Sequence, residues 1–245
     1  MKYILIIILS IFFISSCRKQ SDSFNTTTLS SYYPLSVGKY ITYNLDSTLF
    51  INFGQKDTVI HYQAQDRVDD TITDNLNRKG YRIIRFLRSD PGKDWIPNNT
   101  FLIILTNNTI ESIEDNLRFQ KLKLPFRLGF TWKGNSFIDT YSLNSDVKYL
   151  DNWDYTYDSI DVPLVLNSIK IDSSIQVTQR DEFLGQDPHI TGTQYAEKNY
   201  SIEKYGKNIG LIYKEFLHWE YQGSQPSRPA YYTGYGIKLS IIDHN

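Results

Sequence analysis

The segment Asp151-Asn152-Trp153-Asp154-Tyr155-Thr156-Tyr157-Asp158-Ser159-Ile160-Asp161 concentrates aromatic and acidic side chains more than any other part of the chain. In a strand, alternate side chains point to opposite faces. Trp153, Tyr155 and Tyr157 then share one face, and Asp154, Thr156 and Asp158 share the other. A row of rings can stack on sugars, line an apolar cleft or pack into a core, and packing is the commoner fate. The acidic residues suit calcium in number, but the order and central Gly of an EF-hand loop are missing. A second aromatic cluster, Tyr231-Tyr232-Thr233-Gly234-Tyr235, follows Gln222–Pro229, whose composition is that of an exposed loop. Trp219 and Tyr221 end the apolar run that begins at Ile209. Trp153, Tyr155, Tyr157, Trp219, Tyr221 and Tyr232 are therefore the candidate ligand-binding residues.

Catalytic patterns are missing. His61, His189, His218 and His244 form neither H-x-H nor H-E-x-x-H, so no metal ligand is assigned. There is no G-x-S-x-G elbow and no P-loop. Gly234-Tyr235-Gly236 lacks a third glycine and opens a strand instead of a helix, so no cofactor is assigned. Asp69-Asp70, Glu111 with Glu114, and Asp181-Glu182 read as solvated charges. A glycosidase needs only two carboxylates about 5–10 Å apart in space. An envelope enzyme acting on glycans by carboxylate catalysis is therefore the alternative function, with no catalytic residue named.

The chain has one Cys, Cys17, placed directly after an apolar stretch. Met1-Lys2 is a minimal basic start, and Tyr3–Ile14 is apolar apart from Ser10. Twelve residues fall short of the roughly 20 that span a bilayer, so this is a secretory segment. Ile14-Ser15-Ser16-Cys17 resembles the lipobox of bacterial lipoproteins: an aliphatic residue, two small ones, then the Cys. The resemblance implies cleavage before Cys17, lipidation of its thiol and acylation of the new amino terminus, with the membrane as a partner. More than one acyl chain anchors stably. Residues 1–16 are then the signal peptide, and the mature protein has neither Met nor a free thiol. Residues 17–31 read as a polar, Ser/Thr-rich tether, about 20 Å r.m.s. as a coil. Arg18 stands where inner-membrane retention signals resemble an Asp, which favours the outer membrane and leaves its face open between periplasm and surface.

The elements that must position these residues read as strands. With 26 basic and 27 acidic side chains the charge is nearly balanced, which excludes nucleic-acid binding through bulk positive charge. The 19 Tyr and 13 Phe exclude disorder. Ala occurs only at 64, 196 and 230, whereas Ile, Tyr, Thr and Phe are frequent, which favours strand over helix. Alternating runs cover Tyr40–Phe53, Thr58–Gln65, Val68–Thr73, Tyr81–Arg88, Phe101–Leu105 and Ile110–Ile113. Further runs cover Phe137–Leu143, Val147–Leu150, Trp153–Tyr157, Val162–Val177, Ile209–Tyr221 and Tyr235–Ile242. Asn107-Asn108 suits a tight hairpin with positive φ. Helix is expected only at Thr193–Lys204. The turn spacing predicts an antiparallel meander in a single domain, residues 32–245.

Two segments carry a second resemblance. Tyr33-Pro34-Leu35-Ser36-Val37-Gly38-Lys39-Tyr40 resembles the opening of many uncharacterised Bacteroidota-type lipoproteins. Tyr205-Gly206-Lys207-Asn208-Ile209-Gly210-Leu211-Ile212 resembles their C-terminal glycine-aliphatic segment, with Asn208 where that pattern has glycine. The resemblance implies a secreted, lipid-anchored β domain and no particular activity. The expected protein is mainly β, a curved half-barrel-like antiparallel sheet or a β-sandwich with little helix. It is lipid-anchored in the cell envelope and serves a binding or structural role. The partner is a glycan, an apolar ligand or an envelope protein. Carriage of a lipid or other apolar ligand is a further alternative, and it requires a large apolar cavity.

Overall fold

A computed structural model describes residues 27–245. The expected signal peptide and Cys17 lie outside the described residues. After a short helix, α1 (Leu29–Tyr32), come β1 (Tyr40–Ile51), β2 (Lys56–Thr73), β3 (Lys79–Arg88) and β4 (Ile96–Leu105). Then follow β5 (Thr109–Glu114), β6 (Leu117–Lys123), β7 (Thr131–Lys133) and β8 (Asp154–Leu166). The last four strands are β9 (Ile169–Gly185), β10 (Tyr195–Gly206), β11 (Gly210–Gln222) and β12 (Tyr231–His244).

Each strand pairs antiparallel with the next except at β6 and β7, and β12 pairs with β1, giving one 12-stranded sheet with β6 and β7 at its edges. The sheet curls until those edges nearly meet, so the fold is a nearly closed barrel rather than a sandwich. Backbone and side-chain hydrogen bonds stitch the seam. The Gln120 N–H reaches the Gly134 carbonyl at 2.8 Å, and the Trp132 indole donates to the Gln120 carbonyl at 2.8 Å. Across from β8, the Tyr157 hydroxyl accepts from the Lys123 N–H at 2.9 Å and donates to the Lys123 carbonyl at 2.8 Å. These contacts cover edge groups that would otherwise be open to another chain.

The barrel has two distinct ends. Chain entry, the β2–β3, β8–β9 and β10–β11 turns and the C-terminus gather at the first. The β1–β2 turn and the loops 134–153, 186–194 and 223–230 gather at the second. Helix α1 caps the first end, where Leu29 and Tyr32 are buried. The Tyr32 hydroxyl donates to Asp161 at 2.5 Å and bonds Ser173 at 2.8 Å. Burial and the Asp161 bond push its pKa up to about 12. Leu29–Ser31, at the end of the span 17–31 expected to be a tether, belong to the fold. Between β10 and β11, Asn208 takes φ 63°, and its N–H donates to the Ser31 carbonyl at 2.6 Å. Asn tolerates that left-handed conformation, which suits the substitution at the glycine position.

Several local expectations are corrected. Phe137–Leu143 and Val147–Leu150 are not strands; they lie in the loop 134–153, with a 3-10 turn at Lys148–Leu150. The span Thr193–Lys204 is not a helix: from Tyr195 on it is strand β10, whose inward residues are Asn199, Ser201, Glu203 and Tyr205, so polarity hid the period of two. Val162–Val177 is not one strand, because Asn167 and Ser168 at φ 46° and 70° turn β8 into β9. Thr58–Gln65 and Val68–Thr73 fuse into β2, which bulges between Val68 and Asp70. Asn107-Asn108 does connect β4 to β5, but the consecutive positive-φ pair in that region is Asp115-Asn116, at 50° and 64°.

Outward positions carry Asn44 and Asp46 on β1, His61 and Gln63 on β2, Lys204 on β10 and Lys238 on β12. A barrel that spans a membrane with its strands would carry an apolar band about 25 Å tall there. Among the described residues no helix is long and apolar enough to cross a membrane.

Candidate functional site

The barrel interior is charged at mid-height. The Lys121 ammonium lies 2.8 Å from Glu203 and 3.9 Å from Glu114, and Lys214 lies 3.5 Å from Glu114 and 3.9 Å from Glu203. Tyr205 donates to Glu203 at 2.5 Å and Ser112 to Glu114 at 2.7 Å. Beside them Arg85 holds Asp66 with two bonds of 2.6 Å. Three acids thus face three bases, and the cluster is neutral. Burial alone would raise the Glu114 pKa, but Lys214, Lys121 and the Ser112 hydroxyl hold it below the usual carboxylate range. Burial would lower Lys121, but Glu203 and Glu114 carry it above the ordinary amine value. Toward the first end the cluster borders a cavity of about 60 Å³ under Tyr33 and Tyr43. That is room for about two waters at roughly 30 Å³ each.

On the other side of the cluster lies a chamber of about 130 Å³. Its walls include Phe119, Trp153, Tyr155 and Phe216, and Glu114, Lys121, Lys214 and Gln179 line it as well. Loop 134–153, with a 3-10 turn at Lys148–Leu150, brings Tyr149 over the second end. Tyr149 stacks on His218, with centroids 3.9 Å apart, and lines the chamber together with Tyr235. Burial lowers the His218 pKa, and its Nδ1 bonds Asn199 at 2.7 Å.

A third feature lies outside the barrel at the same end. A groove of about 710 Å³ opens between the β1–β2 turn and the start of β12. It falls within the range of about 300–1,000 Å³ usual for ligand sites. Phe50 and Tyr232 stack along it, with centroids 5.4 Å apart and planes within 9°. Arg228 lies 4.2 Å over the Tyr231 ring, and Gln55 and Thr233 add polar groups. The rings continue to Trp219, 5.4 Å from Tyr232, to Tyr221 at 5.0 Å, and to Phe183, 6.0 Å from Trp219. Phe53, 92% exposed, marks the turn, and Asn52, Phe53 and Gly54 all have positive φ. A bulky residue in that region is strained, and such strain clusters at functional sites. Gly54 is required on a second count: a Cβ there would come within 2.1 Å of the Tyr232 carbonyl oxygen.

The six candidate aromatics therefore divide. Trp153, Tyr155 and Tyr157 do share one face, and it points inward: they are 2%, 1% and 0% exposed. Trp153 and Tyr155 line the chamber. Tyr157 instead holds the seam. Trp219, Tyr221 and Tyr232 gather on the outer surface, where Tyr232 lines the groove and the other two extend its ring row. Phe50, Phe53 and Arg228 were not singled out from sequence, although a Phe inside the turn Asn52-Phe53-Gly54 was a usable signal. The acidic residues of the 151–161 segment do not converge. Thr140 bonds Asp151, Lys133 pairs with Asp154, Thr178 bonds Asp158 and Tyr32 bonds Asp161. Among the described residues no group of three His, Cys, Asp or Glu side chains is placed to hold a metal. Glu197 and Glu220 are direct cross-strand neighbours on β10 and β11, not carboxylates facing each other across a cleft. Burial and Glu197 raise the Glu220 pKa.

No family model matches the chain. No curated protein matches it either. Among solved structures, a protein of Parabacteroides distasonis ATCC 8503 described as a "putative lipoprotein" is similar at TM-score 0.41 and 10% identity, over 87% of this chain and 98% of that one.

Proposed function

We propose that the chain is a lipid-anchored protein of the outer membrane that binds glycan chains in the outer aromatic groove. The anchor reading rests on Ile14-Ser15-Ser16-Cys17 behind its short apolar segment. The binding reading rests on one observation above the others, the stacked Phe50–Tyr232 pair opening a groove of ligand size. A sugar ring has an apolar face and a hydroxyl rim. The groove offers ring faces, and Gln55, Arg228 and Thr233 are polar residues of its lining. Chain entry is at the first end and the groove at the second, so an anchored barrel presents the groove away from its own membrane. The charged interior supports binding outside rather than lipid carriage within, because an acyl chain would have to displace a neutral, fully paired cluster.

Calorimetric titration of the lipoprotein with two probes, purified peptidoglycan strands and purified outer-membrane polysaccharide, tests the reading and tells the two sources apart. Binding of one probe that Phe50→Ala and Tyr232→Ala each weaken about tenfold, the loss of roughly 1.4 kcal/mol from one stacked ring, supports it. No binding of either probe, or binding indifferent to both variants, overturns it.

A further inference from the structure

The connecting segments at the two ends of the barrel differ in charge. At the first end, segments 33–39, 74–78, 106–108, 124–130, 167–168 and 207–209 hold Lys39, Arg78, Arg127 and Lys207 against a single acid, Asp74, which pairs with Arg78. At the second end, segments 52–55, 89–95, 115–116, 134–153, 186–194 and 223–230 hold seven Asp against three Lys or Arg. Two acids at the strand ends of the first end, Asp161 and Asp243, accept from the Tyr32 and Tyr40 hydroxyls. Lys170 and Asp172, both exposed on β9, offset one another.

Three of the first-end segments pair an exposed apolar residue with a cation. Val37 stands two residues before Lys39, Leu76 two before Arg78, and Leu128 next to Arg127. Val37, Leu76 and Leu128 are 58%, 65% and 66% exposed. One such residue alone is ordinary on a protein surface. Three on separate turns of one end, each with its own cation, match an interfacial anchor, in which apolar groups sink among lipid head groups and Lys or Arg meets anionic lipid. A groove of about 340 Å³ walled by Leu124, Pro125, Phe126 and Ile160 adds apolar surface at the same end. The position of the chain selects the occupant. Thr27, where the described residues begin, lines that groove. Ten residues separate it from Cys17, at most about 35 Å when fully extended.

We propose that the first end docks directly on the bilayer that holds Cys17, with the turns at Val37, Leu76 and Leu128 among the head groups of an anionic phospholipid surface. The inference rests on the lipid anchor of the proposed function and adds a second contact, so that the barrel stands on its membrane instead of swinging from it. A protein covering this end is the competing occupant.

Lipidation consumes the Cys17 thiol, so one introduced cysteine is unique in the mature chain. Leu76→Cys, Leu128→Cys and, as the second-end control, Leu143→Cys at a 91%-exposed site are each spin-labelled. The lipoproteins, with acyl chains verified by mass, are reconstituted in vesicles of phosphatidylcholine with about 30% phosphatidylglycerol. Label accessibility to oxygen, which concentrates in the bilayer, is compared with accessibility to a water-soluble nickel chelate. The expected result is a raised oxygen-to-nickel ratio at positions 76 and 128 and a water-like ratio at 143. Arg127→Glu with Lys207→Glu changes four charges near the surface, which should weaken docking about a thousandfold and return position 76 to a water-like ratio. Water-like ratios at 76 and 128 on acylated protein overturn the docking and leave the anchor standing. Shielding of those labels from both reagents marks a protein partner and overturns it, as does an unchanged ratio in the double charge variant. Absence of acyl chains on Cys17 overturns the anchor and the docking together.

Discussion

The middle of the barrel and its outer surface at the second end invert the usual distribution of residue types. Inside, Asp66, Arg85, Glu114, Lys121, Glu203 and Lys214 form a neutral set, with short bonds from Arg85 to Asp66 and from Lys121 and Tyr205 to Glu203, and Lys214 at 3.5 Å from Glu114. Outside, Phe50, Phe53, Tyr232 and Trp219 keep rings at least partly in solvent. The interior charges have all their partners within the chain. The exterior rings have part of their apolar surface still to cover. The difference separates what specifies the fold from what is available to a ligand, and it directs attention outward at the height where a half-barrel would be expected to hold its cargo.

The comparison breaks first if the interior charges can be removed without consequence. Lys121→Ala leaves Glu203 buried without its closest cation, and a loss of about 3–5 kcal/mol is expected in urea denaturation. The seam gives the next largest effect. Tyr157→Phe deletes the hydroxyl that serves both the N–H and the carbonyl of Lys123, at a cost of about 1–3 kcal/mol. Acid stability follows from Glu114. Its folded pKa lies below the unfolded value of about 4.3, so the unfolded chain binds more protons as the pH drops. The stability it contributes is present above about pH 4.3 and is lost as pH falls toward the folded pKa. A series of urea midpoints against pH should show this limb, and Glu114→Gln should flatten it. The smallest stability effect belongs to the outer face: Tyr232→Ala should change the urea midpoint by the equivalent of about 1 kcal/mol or less. A larger loss there would make Tyr232 a folding residue and blur the distinction between the two regions.

Much of the fold was legible. The antiparallel meander follows from alternating β-branched and aromatic runs between turns, and β11 showed both its faces, with Trp219 and Tyr221 on one and Phe216 and His218 on the other. The clearest failure was β10, whose inner face is polar. In β10, Asn199, Ser201 and Glu203 point inward, so a reading by hydrophobic period misses the strand. The sites were legible in part. Trp219, Tyr221 and Tyr232 are far apart in a linear search and become neighbours through the pairing of β11 with β12. Phe50 joins them only because β12 returns to β1, a closure that no local pattern encodes.

The location of binding is tested most directly by hydrogen–deuterium exchange of the lipoprotein with and without the glycan probe that binds it. Protection confined to residues 50–55 and 228–234, with the strands around Lys121 and Glu203 unchanged, is the predicted result. Protection of β6 and β10 in the interior, with the groove segments unaffected, would contradict it.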